Sequence, residues 1–251
     1  MPIAAATLRF STRIHVSRKA IMNLNSDFTA RAVVHAAQLP WVASPIPGVD
    51  RRMLDRVGAE VARATSIVRY AACSHFSPHT HGGGEEFLVL DGVFQDEHGD
   101  FPAGSYIRNP PTTRHTPGSE TGCTIFVKLW QFDPADRTQV HLETAAKLFT
   151  ASAGQPGVAV MPLFSDAHEQ VRLEQWAAGS KIELPAPGGI ELLVLDGMFL
   201  EGGEAFVEQS WLRLPVKSSL QAVAGPQGCR VWVKSGHLTE VRTTPIAANP
   251  I

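Results

Sequence analysis

The chain of 251 residues holds only three cysteines, Cys73, Cys123 and Cys229, and no CxxC pair. Neither a disulfide framework nor a zinc ribbon is indicated, and a reducing cytoplasm is the expected compartment. No cluster of lysine and arginine occurs: 22 basic residues stand against 24 acidic ones, for a formal net charge of -2. The electrostatic footprint of a nucleic-acid binder is missing. No apolar run approaches the roughly 20 residues that span a bilayer. The expected partner is therefore a small-molecule ligand or substrate, with no nucleic acid and no membrane, and a homodimer is compatible with this composition. What the chain does have is 21 glycines, 18 prolines and only 18% charged residues. That composition suits short elements joined by many turns, and an all-β fold.

The first twenty residues are basic and contain no acidic residue. They resemble an organellar transit peptide or an upstream extension of the reading frame, and the second reading is preferred, with Met22 opening a segment of ordinary composition. Residues 1–39 are taken as an N-terminal extension and lead-in.

Comparing the chain with itself shows a repeat. GGGEEFLVLDGVF (82–94) matches PGGIELLVLDGMF (187–199), and SYIRNP (105–110) matches SWLRLP (210–215), both at an offset of 105. GCTIFVK (122–128) matches GCRVWVK (228–234) at 106, one residue having been inserted between. Runs such as TSIVRY, EEFLVL and CTIFVKLW, rich in β-branched and aromatic residues and bounded by Gly, Pro, Asp and Asn, read as strands. The LDG tripeptides ending at Gly92 and Gly197 fit hairpin turns whose glycine takes a positive φ. Two antiparallel barrels are expected, at 40–140 and 155–242. HLETAAKLFTASAGQPG between them reads as a short helix-like or irregular linker. GVDRRMLDRVGAEVARA (48–64) fits helix and strand equally.

The chemistry concentrates in HTHGGGEE. His79 and His81 lie two residues apart, so on a strand their side chains share a face. Three glycines then let the chain turn back towards Glu85. Glu86 competes for the carboxylate role, but it recurs in the second copy as Glu191, whereas Glu85 stands opposite Ile190. A residue kept in both copies serves the frame, and one present only beside histidines is the better ligand. His115 follows a Pro-Pro turn at a comparable distance along the chain. His98 sits in a polar turn and His75 lies just before the ligand strand, where it could line the mouth of the site; neither receives a ligand role.

The spacing HxHx3Ex6G, here His79, His81, Glu85 and Gly92, resembles the first motif of the cupin superfamily, and FPAGSYIRNPPTTRH resembles a loose form of the second. More narrowly, GGEEFLVLDGVF, DEHGDFPAGSYIRNPP and GCTIFVKLWQF resemble ChrR-like cupins, named for the C-terminal domain of an anti-sigma factor and related to acetylacetone-cleaving-like proteins. The resemblance covers at least residues 40–135. It implies a bicupin of two tandem jelly-roll barrels, with His79, His81, Glu85 and His115 holding one divalent metal ion per chain. Fe(II) and Zn(II) come first, with Ni(II) and Mn(II) next. It implies a dioxygenase-type enzyme acting on a β-diketone or similar dicarbonyl, or else a non-catalytic zinc-binding sensor or regulatory module. Sigma-factor binding by a helical zinc domain is excluded, because residues 1–72 contain no cysteine.

Stepping 105 residues on from the four ligand positions gives Leu184, Ala186, Ile190 and Leu220, and a slip of one replaces the first two by Pro185 and Pro187. Neither alignment yields a ligand, so the second barrel is expected to be degenerate, its interior filled with apolar side chains. Arg69, Tyr106, Arg108, Phe126, Lys128 and Trp130 flank the motifs, and strand parity alone does not say which of them face the pocket. Arg108 and Lys128 recur as Arg213 and Lys234, which favours structural roles. Cys123 and Cys229 form a matched pair expected to be buried thiols.

Overall fold

The computed structural model describes residues 22–59 and 61–242. The basic segment before Met22 lies outside the described residues. The fold is all β apart from two short 3-10 turns, Ala36–Gln38 and Thr144–Ala146. Two large antiparallel sheets carry the repeat. The ladder of the first runs Met22–Leu24, Val49–Gly58, Ala62–Tyr70, Cys123–Leu129, Glu85–Asp96, Ser105–Asn109 and Val140–Glu143. In the second, the equivalent order is Thr150–Ala151, Val158–Ser165, Gln170–Trp176, Ser218–Ser235, Ile190–Glu201, Ser210–Leu214 and Ala32–His35. Each path runs from edge to edge without closing.

The last strand of each path was not evident from sequence. Ala32–His35 precedes the first repeat but pairs with Ser210–Leu214 of the second. Val140–Glu143 precedes the second repeat but pairs with Ser105–Asn109 of the first. Each repeat thus lends its leading strand to the other, which covers two sheet edges that would otherwise expose unpaired backbone groups. The segment 48–64, which fitted helix and strand equally, forms two paired strands, Arg51 lying opposite Val68. The linker is a strand, a 3-10 turn and a second short strand.

The LDG tripeptides are not hairpin turns. Both lie inside continuous 12-residue strands, Glu85–Asp96 and Ile190–Glu201, at a shift of register that leaves Leu90 and Leu195 as the extra residues. Each is a β-bulge, with Gly92 and Gly197 at φ +70. A Cβ on Gly92 would lie 2.1 Å from the Gly122 carbonyl oxygen, and one on Gly197 2.3 Å from that of Gly228. Glycine is therefore required on two counts.

Strand alternation sorts side chains into three apolar clusters. Phe87, Val89, Ile107, Ile125 and Val127 fill the first barrel. Leu192, Val194, Leu212, Val231 and Val233 fill the second. The intervening residues, among them Leu88, Tyr106, Phe126, Leu193, Trp211 and Trp232, meet between the two sheets.

Buried charges cross that same interface in a reciprocal pattern. Lys128 of the first unit donates to both carboxylate oxygens of Glu191 in the second, at 2.6 and 2.7 Å. Lys234 of the second donates to Glu86 of the first at 2.5 Å and pairs with Glu169 at 2.9 Å. The Tyr106 hydroxyl and the Trp211 indole, equivalent in the repeat, donate to Glu86 and Glu191 at 2.8 and 2.7 Å. Burial alone would raise the Glu191 carboxyl, but Lys128 and His237 hold it well below the usual carboxylate range. Removing one partner from such a pair leaves an uncompensated buried charge. Lys234→Met is expected to destabilise the protein by about 3–5 kcal/mol in urea unfolding followed by tryptophan fluorescence; a loss below about 1 kcal/mol would contradict this account of the interface.

Candidate metal centre

The ligand candidates come from three places on the first unit. His79 pairs directly with His115 in a two-stranded ribbon, His79–Thr80 against Arg114–His115. His81 continues that ladder, its amide donating to the Thr113 carbonyl at 2.9 Å. Glu85 opens the long Glu85–Asp96 strand. The glycines between are shaped by what lies against them. A Cβ on Gly83 would sit 2.3 Å from the Trp130 ring, and one on Gly84, at φ +78, would sit 2.4 Å from the Phe132 ring. The two aromatic side chains thus pack on bare backbone and turn the chain from His81 to Glu85.

The imidazoles of His79, His81 and His115 offer ligand atoms that all lie within 4.8 Å of one another. His115 Nε2 is 3.3 Å from His79 Nε2. Glu85 Oε2 is 3.2 Å from His81 Nε2 and 3.6 Å from His115 Nε2. With metal–ligand bonds of about 2.1 Å, neighbouring ligand atoms stand about 3.0 Å apart in an octahedron and about 3.4 Å apart in a tetrahedron. The three shorter separations, 3.2, 3.3 and 3.6 Å, lie close to these edges.

The outer nitrogens decide the tautomers. His81 Nδ1 lies 3.0 Å from the Thr113 hydroxyl, which itself donates to the Pro110 carbonyl at 2.7 Å, so the imidazole is the donor. His79 Nδ1 faces the Ser77 carbonyl at 3.4 Å, and His115 Nδ1 faces Asp96 Oδ2 at 3.2 Å. Both partners can only accept. Each Nε2 therefore presents a lone pair to the cluster, beside a carboxylate oxygen. His81 Nε2 and Glu85 Oε2, both buried, have no hydrogen-bond partner despite their proximity. Lone pairs gathered in this way repel unless a cation or a proton lies among them, and outer-shell partners of this kind orient imidazoles for a metal. The residues present therefore fit a divalent cation.

Electrostatics accord with the geometry. Burial pushes the His79 imidazole below its ordinary value, with Glu85 opposing. Burial also works to lower His115, but the hydrogen bond its Nδ1 donates to Asp96 and the charge of Glu85 raise it overall. Burial would raise the Glu85 carboxyl, yet His81 and the other two imidazoles hold it below the carboxylate range.

The other expected positions lie elsewhere. Glu86 points to the opposite face, onto Lys234. Tyr106, Arg108, Phe126 and Lys128 also face the second unit rather than the histidines: Tyr106 and Phe126 belong to the apolar interface, and Arg108 pairs with Asp136 at 2.7 Å and with Glu169 at 3.3 Å. Arg69 is exposed and pairs with Asp50. His75, exposed, pairs with Glu120, and His98 lies on Asp96. Cys123 and Cys229 are buried, their thiols pushed up to about 11 and about 12 by desolvation. In the second unit Leu184, Ala186, Ile190 and Leu220 all belong to the apolar barrel core. Leu184 pairs with Leu220 as His79 pairs with His115, so the offset of 105 is the correct alignment and the slipped one, through Pro185 and Pro187, is not.

Of the flanking residues the sequence singled out, Trp130 does lie at the site, against Gly82 and Gly83; Thr113, Asp96 and Phe132 escaped the sequence. Thr113 and Asp96 act through another residue's outer nitrogen, and no spacing rule marks such a contact.

Residues 29–133 match the ChrR cupin-like domain family. No curated protein matches the chain. Among solved structures, a candidate dioxygenase from Nostoc punctiforme is 14% identical with a TM-score of 0.66, over 92% of this chain and 88% of its own. A candidate glyoxylate-induced protein from Pseudomonas aeruginosa is 14% identical with a TM-score of 0.64, over 97% of both chains. The bacterial pirin YhhW from Escherichia coli, solved with nickel(II), is 13% identical with a TM-score of 0.57, over 82% of this chain and 98% of its own. Residues 29–133 thus carry the ChrR cupin-like domain, and the structural likenesses show that the fold of the chain is that of a bicupin, two tandem jelly-roll units of which the first carries the histidine cluster.

Asp96 offers the sharpest test of the outer shell. In metal-free protein, Asp96→Asn removes the anion that raises His115, so the His115 titration seen by NMR should move to lower pH, and metal affinity should fall about 10- to 100-fold. An unmoved His115 titration would show that the Asp96 contact does not form.

Proposed function

We propose that the first unit holds one divalent metal ion per chain through the Nε2 atoms of His79, His81 and His115 and the carboxylate of Glu85, and that the protein is a dioxygenase-type enzyme acting on a small dicarbonyl-like substrate such as a β-diketone. The observation that carries this reading is the convergence of three lone pairs, each fixed by a different outer partner, beside a buried carboxylate. Fe(II) suits this set of three nitrogens and one oxygen, and Ni(II) or Mn(II) also fits. Bound there, such an ion would supply the Lewis acidity and the redox capacity that oxidative carbon–carbon cleavage requires.

The protein's own part is positional. Thr113, Asp96 and the Ser77 carbonyl take the outer nitrogens of the three imidazoles and aim each Nε2 inward, and Glu85 contributes negative charge beside them. His79 is exposed whereas His81 and His115 are buried, so the cluster meets solvent on the His79 side, and a small substrate would enter there. Phe94, with its ring 5.8 Å from that of His115, walls the inner side and keeps it apolar.

The match to the ChrR cupin-like family favours a second reading. Zn(II) in a four-coordinate site would be saturated by these same four residues, giving a non-catalytic sensor or regulatory module. Elemental analysis of protein purified without added metal, followed by refilling with Fe(II) under argon and exposure to air with acetylacetone, separates the two. One ion per chain and substrate-dependent O2 uptake are expected. One tightly held zinc with no uptake would favour the sensor. His79→Ala and Glu85→Ala should each lose the metal while keeping the wild-type circular dichroism and unfolding midpoint, because the second unit holds the same frame with apolar residues. A full complement of metal in either variant would remove that residue from the ligand set.

A further inference from the structure

The chain has two tyrosines, and the protein engages the hydroxyl of one. Tyr106 donates to Glu86 at the interface between the units. Tyr70 ends the strand Ala62–Tyr70 and turns a half-buried ring into the first barrel, where it packs against the apolar core beside Phe76. None of the described residues shares a hydrogen bond with the Tyr70 hydroxyl.

The ring stands close to the approaches of two ligands. Its centroid is 5.9 Å from that of Phe94, which in turn lies 5.8 Å from His115. It is also 5.2 Å from Phe76, the neighbour of Ser77, whose carbonyl orients His79. Glu85 is near enough for its charge to act on the phenol. Burial first, and then Glu85, push Tyr70 above its ordinary value, so it stays a protonated donor.

The repeat shows what this hydroxyl lacks. Trp176 holds the same place in the second unit, opposite Cys229 as Tyr70 is opposite Cys123. Its indole donates to Glu174 at 2.7 Å, and Glu174 also takes Arg172 at 2.6 Å. The three residues alternate along one strand and share a face, so that barrel answers its aromatic N–H from within. In the first unit the places of Glu174 and Arg172 fall to Val68 and Ser66, which lie opposite Ile125 and Val127 as the other two lie opposite Val231 and Val233. Valine has no acceptor to offer, and serine leaves the volume that an arginine would fill. Acceptor and bulk are both missing in the unit that carries the histidines.

We propose that Tyr70 is the substrate-binding hydrogen-bond donor of the first barrel, its hydroxyl kept for an oxygen of the dicarbonyl substrate. The inference rests on the metal-dependent reading above. An enolised dicarbonyl carries negative charge on its oxygens, and a hydrogen bond to a charged acceptor is stronger than one between neutral groups.

The test uses the full chain refilled with Ni(II) under argon and titrated with acetylacetone or with azide, each followed by difference absorption. Wild-type protein that holds no nickel, or whose nickel takes azide but no acetylacetone, would fault the metal-dependent reading and remove the ligand of Tyr70 with it. Where wild-type protein binds both, Tyr70→Phe should keep its nickel, bind azide as before and bind acetylacetone at least about tenfold more weakly. Azide is the reference because it needs the metal alone. Val68→Gln, which offers the hydroxyl an acceptor at the place of Glu174, should weaken acetylacetone in the same direction and keeps the test sound if Tyr70→Phe does not fold. Unchanged acetylacetone affinity in Tyr70→Phe, or in Val68→Gln where that is the variant that folds, would overturn the proposal. So would an equal loss of azide or of nickel, which would make Tyr70 a support of the metal centre and not a contact to the substrate.

Discussion

Two neighbouring carboxylates on one strand, Glu85 and Glu86, point to opposite faces of a sheet, and the two halves of the molecule's chemistry hang on that alternation. Glu85 turns inward to the imidazoles, and Glu86 turns outward to Lys234 of the other unit. A shift of one residue in register would place the frame's carboxylate among the histidines and bury the ligand's at the interface. The bulge at Gly92 lies beyond this pair, so it bends the strand without disturbing the phase of its first residues.

The second unit shows the same alternation with different content. Ile190 occupies the inward place of Glu85 and packs in an apolar core, while Glu191 keeps the outward place and receives Lys128. The exchange of ligands for apolar residues lies on the inward face, while the outward face keeps its charged residues. Had those charges changed as well, the reciprocal ion pairs would have lost their partners, at a cost far larger than that of exchanging buried histidines for leucines. The exchanged leading strands reinforce this coupling, since each unit's outermost ladder belongs to the other's connection. The apolar unit serves as a fixed partner, and the strand that opens with Glu85 is braced from outside the barrel by Lys234, Glu169 and Arg108.

Much of this was legible in the residues. The repeat located both units, the HxHx3E spacing selected His79, His81 and Glu85 while His115 came from the family resemblance, and the contrast between Glu85 and Glu86 across the copies separated the residue facing the imidazoles from the residue facing the frame. The mate of a buried charge was not legible. Lys128 and Glu191 are 63 residues apart, and nothing in periodicity distinguishes a charged residue facing water from one facing a second sheet. The leading strands were obscured for a related reason: Ala32–His35 is four residues of ordinary strand composition whose partner lies in the other repeat. In the LDG tripeptides a positive-φ glycine after Asp marks a turn and a bulge alike, and only the continuation of the ladder past Gly92 tells them apart.

X-ray absorption at the edge of the metal found in the purified protein tests the central claim most directly. The account predicts a first shell of nitrogen and oxygen near 2.1 Å, with the outer-shell scattering of about three imidazoles, and no sulfur. A sulfur scatterer, or the signature of a single imidazole, would show that the ion is held elsewhere and that the convergence of His79, His81, His115 and Glu85 is not the metal site.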